Sequence, residues 1–311
     1  MLPFFKQDFW ALAREQVGYY SWAQRERWSL ARAMGRGHRQ CKGCCDDPES
    51  HELVQMMFND GLGIHPLLDI VFEATARAES RFSLRFVPQR SHEERLTGNL
   101  ISEIEAAFFL ARNAFAEMAM QRYGEAREID FVYYDLSRGG KIEKQTGADL
   151  GIILSIDLPD LPPLVRYAAF QAKKLDGSSS IPKAQFNTLH RQFGDAAAYL
   201  FYDMSRSSLL PPMVVQADRL RDKEEKEPDT ESFTLSQNDV EDGLPLSLWL
   251  LSRLARGQVG KSASDFASAL DTFTSHNLNR EAFSNGRLAI MSIGKPLIVQ
   301  RNPEAGLDIS L

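Results

Sequence analysis

The chain has 311 residues, 43% of them hydrophobic and 25% charged, with 36 Lys and Arg against 42 Asp and Glu for a net charge of −6 at pH 7. This composition excludes disordered and fibrous classes; no apolar run approaches the ~20 residues of a membrane span, and the N-terminus lacks a signal-peptide layout. The three cysteines, an odd number, argue against a disulfide framework and for a reducing compartment, read as cytoplasmic.

Residues 1–45 hold eight basic side chains against three acidic ones, so +5, which leaves −11 for the remainder. A basic arm on an acidic body suits either a nucleic-acid contact or a solvated basic helix. Residues 7–34 read as one or two helices and 35–50 as a loop. Residues 51–59 and 65–79 read as short helices, and RFSLRFVP (81–88) as a strand. In residues 97–124 apolar side chains recur at 100, 101, 104, 107, 108, 111 and 115, the spacing of a long helix starting near Thr97. A β-rich block follows at 129–136, 148–156 and 165–173, then a helix at 182–196 and a strand at 197–204. Residues 211–217 suggest a short strand, and the charged, aperiodic 218–232 a surface linker. Helices near 244–256 and 262–274 and a late strand RLAIMSIG (287–294) complete the chain. The expected organisation is a mainly helical region over 1–90, a core over 91–217, a charged linker over 218–240, and a helical extension with a late strand over 241–311. The fold class is α/β (α+β), a mixed central sheet flanked by helices.

The connection DLPDLPPL (157–164) between two of these strands is short and rich in proline, which favours an antiparallel hairpin. With period-2 alternation, Asp149 then shares a face with Gln171 and Lys173. A carboxylate, an amide oxygen and an ammonium at the ends of paired strands suit a divalent cation with hard oxygen ligands, such as Mg²⁺ or Mn²⁺. Asp149 and Gln171 are candidate ligands, and Lys173 would stand by the attacking water or the phosphate. One Asp with one Gln is too little negative charge. The preceding helix offers Glu103 and Glu105; Glu103 lies nearer the apolar stripe and is favoured over Glu105.

A helix bearing Glu, then GAD (147–149) opening a strand, then QAK (171–173) in the next, resembles the restriction-endonuclease-like, or PD-(D/E)xK, nuclease superfamily, in its Q-x-K variant. The derived αβββαβ order matches that superfamily's core, with helical additions here. Gln171 departs from its commonest pattern by replacing an acid. The resemblance spans roughly residues 95–217 and implies a Mg²⁺-dependent endonuclease that hydrolyses phosphodiester bonds of DNA, with Glu103, Asp149 and Gln171 holding metal and Lys173 assisting water attack. TG (97–98) and Gln185 look like accessory features, and Lys174, Gln185 and His190 are candidate nucleic-acid contacts. By analogy alone, it implies anti-phage defence or restriction, double-stranded DNA as partner, and a homodimer or a partner subunit. The alternative is a non-catalytic nucleic-acid-binding or assembly subunit of the same fold.

Other motifs are weaker. Cys41 and Cys44 with His38 and His51 would close a tetrahedral Zn²⁺ site, but a single C-x-x-C pair without finger spacing favours reduced loop cysteines. ARGQVGKS (255–262) imitates a phosphate-binding loop, yet its first glycine is Ala255 and a helix precedes it, so Gly257 and Gly260 read as helix terminators.

Overall fold

The computed structural model describes residues 62, 64–135, 148–204, 210–240, 243–274, 287–296, 298–302 and 306–310. The basic N-terminal segment and the Cys41, Cys44, His38 and His51 group lie outside the described residues.

Two helices open the described chain, α1 (Pro66–Arg85) and α2 (Glu93–Tyr123). They lead to strands β1 (Glu128–Asp135), β2 (Leu150–Ile156), β3 (Leu164–Leu175) and β4 (Ser178–Pro182). Helix α3 (Lys183–Phe193), β5 (Ala197–Asp203), β6 (Met213–Gln216), α4 (Ala217–Lys226), β7 (Ser232–Ser236) and β8 (Leu244–Pro245) follow. Helix α5 (Leu246–Leu248) runs into a π-helical turn at Trp249–Leu254, before β9 (Lys261–Ser262) and α6 (Phe266–Thr274). Strands β10 (Arg287–Gly294), β11 (Ile298–Asn302) and β12 (Gly306–Ser310) end the chain. No helix among the described residues is long and apolar enough to cross a membrane.

The architecture is mixed α/β. The central sheet runs β1-β10-β2-β3-β5-β6-β8, with β2–β3 and β1–β10 antiparallel, and β10–β2 and β3–β5 parallel. All seven residues of LGIILSI in β2 are buried, as expected of a strand covered on both faces. Aromatic contacts show which helices cover which face. Phe170 meets Trp249 of the π-helical turn after α5, and Tyr202 meets Phe82 of α1, on one side. On the other, Tyr167 meets Phe273 of α6 and Tyr199 stacks on Phe186 of α3. Helix α2 joins the first side through Phe108 against Phe131.

Three elements differ from the sequence expectation. The alternating RFSLRFVP belongs mostly to α1, because Phe82 is fully buried against the sheet while Arg81 bonds Glu103 of α2. Phe82 and Phe86 also stand four apart, so the segment carried a helical reading that packing selected. Helix α2 starts at Glu93, one turn before Thr97. The charged stretch taken as a linker forms α4 and β7; Ala217 and Leu220 anchor the helix, and Phe233 and Leu235 bury alternate side chains of the strand.

The late strand is found as expected, and it lies inside the sheet between β1 and β2. The loop that imitates a phosphate binder wraps a buried arginine. Arg166 donates to the carbonyls of Val259 (3.0 Å) and Gly260 (2.6 Å) and to Ser262 Oγ (2.8 Å). Gly260 has φ +73°, and a Cβ there would lie 2.8 Å from the Tyr167 carbonyl oxygen.

Candidate active-site cleft

The β2–β3 hairpin pairs Leu150 with Phe170, and the Asp149 amide donates to the Phe170 carbonyl at 2.8 Å. Asp149 thus stands across from Gln171 one step beyond the ladder, and Lys173 follows on the same face of the pleat. Asp149 lies 22 positions from Gln171 along the chain, and the antiparallel register brings it to the Gln171 and Lys173 pair.

They line one cleft of about 990 Å³ at the end of the sheet, together with His92, Glu93, Glu94 and Arg95 of the α2 entry and with Pro182, Ala184, Gln185 and Thr188 of the α3 entry. Both walls are helix N-termini whose caps make no side-chain hydrogen bond, so first-turn amides stand at the cleft. Such ends carry positive potential.

Inside the cleft a chain of amides orders the carboxylate. Gln185 Nε2 donates to Gln171 Oε1 at 2.8 Å, and Gln171 Nε2 donates to Asp149 Oδ2. The same Oδ2 accepts the Ala172 amide at 3.0 Å. Gln171 is 2% exposed, so this geometry is set by packing. Lys173 is half-buried, and among the described residues its ammonium has no hydrogen-bond or ion-pair partner.

Of the two helix acids at this cleft, Glu93 and Glu94, the one bonded to the sheet is Glu93. Its Oε1 accepts the Lys174 amide at 2.9 Å, which ties the first turn of α2 to the strand that carries Gln171 and Lys173. Two further contacts hold that turn. Thr97 Oγ1 and the Tyr202 hydroxyl lie 2.9 Å apart, and Arg287 at the start of β10 donates to the Glu94 carbonyl. The Arg287 amide in turn donates to the Asp149 carbonyl at 3.2 Å. Burial pushes the Tyr202 and Tyr199 hydroxyls well above the usual tyrosine range, and the nearby Asp149 charge adds to both. Tyr199 sits beside Gln171 in the parallel β3–β5 ladder, and among the described residues its buried hydroxyl has no partner.

The other expected residues stand elsewhere. Glu103 is not at the cleft: it bonds Arg81 (3.1 Å) and Arg85 (3.2 Å) on α1. It follows Glu93 by ten residues, about 15 Å along the helix axis. Glu105 is exposed and does not line the cleft. The pleat turns Lys174 away from the face of Lys173, and His190 lies outside the cleft against Asp218 at 2.6 Å. The missed residue, Glu93, had a signal in HEERL (92–96): acids packed just before a helical run are typical of a first turn.

Among the described residues no three His, Cys, Asp or Glu side chains gather as a metal-holding group. The cleft is lined by three carboxylates, Asp149, Glu93 and Glu94, and by the amide of Gln171. That set suits a hard cation that keeps several waters and shares a phosphate, rather than a closed protein cage. Compared with family models, curated proteins and solved structures, the chain finds no match in any of the three.

Proposed function

We propose that the chain is a Mg²⁺- or Mn²⁺-dependent nuclease that hydrolyses phosphodiester bonds of DNA in this cleft. The observation that carries the reading is the meeting of Asp149, Gln171 and Lys173 on one cleft between two helix N-termini. Asp149 and Glu93 would hold the cation, which would supply positive charge to the phosphodiester and acidify water. The Gln185–Gln171 relay keeps the Asp149 carboxylate in one orientation. Lys173 offsets the negative charge that builds on the phosphate oxygens in the transition state. The first-turn amides of α3 donate to the flanking phosphate oxygens. Tyr199 and Tyr202 stay protonated at neutral pH, so neither serves as a base.

The test is cleavage of supercoiled and linear DNA with Mg²⁺ or Mn²⁺, with chelated controls. Asp149→Asn and Lys173→Ala should each reduce the rate at least about 100-fold while the melting temperature holds, a loss typical of removing one electrostatic contributor. Wild-type protein that leaves both DNAs intact, or variants as fast as wild type, would overturn the reading.

A second reading is a non-catalytic nucleic-acid-binding or assembly subunit. It draws on the Gln171 amide, whose nitrogen faces Asp149 and whose oxygen is taken by Gln185. DNA binding without cleavage under any divalent cation would favour it.

A further inference from the structure

Strands β4 and β7 form a small antiparallel sheet beside the cleft. Its register sets Ser178 opposite Ser236, Ser180 opposite Thr234, and Pro182 opposite Ser232. Ser179 and Ile181 of β4 face inward, as do Phe233 and Leu235 of β7. The inward face is fixed to α3, because the fully buried Phe233 meets the Phe186 ring edge-on at 5.3 Å.

The outward face is then Ser178, Ser180, Pro182, Ser232, Thr234 and Ser236. It carries five hydroxyls and no carboxylate, ammonium or large apolar group. Ser236 Oγ donates to Asp239 at 2.7 Å, whereas among the described residues the other four hydroxyls have no hydrogen-bond partner. In a chain of net charge −6, this strip adds no charge that would repel a polyanion. An apolar partner would find nothing to bury there.

Position completes the case. β4 starts just past the end of β3, and its last residue, Pro182, lines the cleft with Asp149 and Lys173. Same-face residues of a strand repeat every ~6.8 Å, close to the separation of successive phosphates along an extended polynucleotide. Ser178, Ser180 and Pro182 therefore step toward the cleft at about one position per phosphate. Hydroxyls are common partners of phosphate oxygens and carry no sequence preference.

We propose that this hydroxyl face is a track along which one strand of DNA is laid into the cleft. The proposal rests on the nuclease reading and adds to it the route of the substrate and the chemistry of its contacts. Binding to this track is neutral hydrogen bonding, so it releases no counterions of its own.

The experiment is fluorescence anisotropy of labelled single- and double-stranded DNA on the full chain, with Ca²⁺ replacing Mg²⁺. The triple variant Ser178→Ala, Ser180→Ala, Thr234→Val should bind about tenfold more weakly, as loss of two or three neutral hydrogen bonds implies. Its slope of log K against log salt should match wild type. Ser180→Asp alone should weaken binding at least as much, most strongly at low salt. Lys173→Ala, by contrast, should flatten the salt slope. Wild-type binding with both track variants within twofold of it overturns the track and leaves the nuclease reading standing. Wild type that binds no DNA overturns both. A loss seen only with RNA of the same sequence overturns the assignment to DNA.

Discussion

Replacing Gln171 with Glu tests the cleft through stability, independently of cleavage. The side chain is 2% exposed and its amide nitrogen donates to Asp149 Oδ2, so Gln171→Glu sets two carboxylates in contact. Two like charges ~4 Å apart repel by about 4 kcal/mol at an effective dielectric near 20. Protonation of the pair relieves part of this, so the expected loss at pH 8 without divalent cation is about 2–4 kcal/mol, or roughly 4–8 °C in Tm. The sign with pH follows from linkage. The pair's folded pKa is raised above the ordinary ~4.3 of Glu, so stability is retained below that value and lost as pH rises through the raised one. The deficit should therefore be smaller at pH 5 than at pH 8. Millimolar Mg²⁺ should restore more of the Tm in the variant than it adds to wild type, because a cation that binds only the folded state stabilises it. Differential scanning fluorimetry at both pH values, with and without Mg²⁺, reads all of this. A variant as stable as wild type at pH 8 without metal would refute the geometry of the Asp149–Gln171 contact.

The two helix acids give a sharper contrast. Glu93→Gln should lower DNA cleavage at least tenfold and raise the Mg²⁺ concentration needed for half-maximal rate, whereas Glu103→Gln should leave the metal dependence unchanged. The His65–Asp160–Tyr123–Arg122 cluster pins the hairpin turn to α1 and α2. Burial would raise the Asp160 carboxyl, but bonds from Tyr123, Arg122 and His65 hold it well below the usual range. Its contribution is complete above about pH 4 and fades as pH falls through the depressed folded value, so Asp160→Asn should lower Tm at pH 7 and lose its effect under strong acid. Gly151→Ala would bring a Cβ to 2.7 Å from the Phe273 ring, next to Asp149. It should cost about 1–3 kcal/mol of stability, measured by chemical denaturation, since neither the strand nor the ring can yield freely.

Much of the hairpin was legible because a short proline-rich connection leaves few alternatives to antiparallel pairing, and period-2 alternation then decides which side chains meet. Asp149, Gln171 and Lys173 needed no tertiary information. Glu103 was misplaced for a local reason: the helical stripe gives a direction around the axis but not where the helix begins. One extra turn put Glu93 at the strand ends and left Glu103 facing Arg81 and Arg85. Residues 218–232 looked like a linker because charge dominates their composition, although two anchors, Ala217 and Leu220, suffice to seat a short helix.

By itself the sequence determined the α/β alternation, the hairpin and the three residues that face one another across it, because backbone periodicity and turn chemistry act over a few residues. Only the tertiary structure decided that β10 inserts between β1 and β2, that Arg287 ties that strand to α2, and that Glu93 rather than Glu103 reaches the cleft. Those choices depend on which surfaces meet across separations from 81 residues for Glu93 and Lys174 to 193 for Arg287 and Glu94, and no local pattern encodes them.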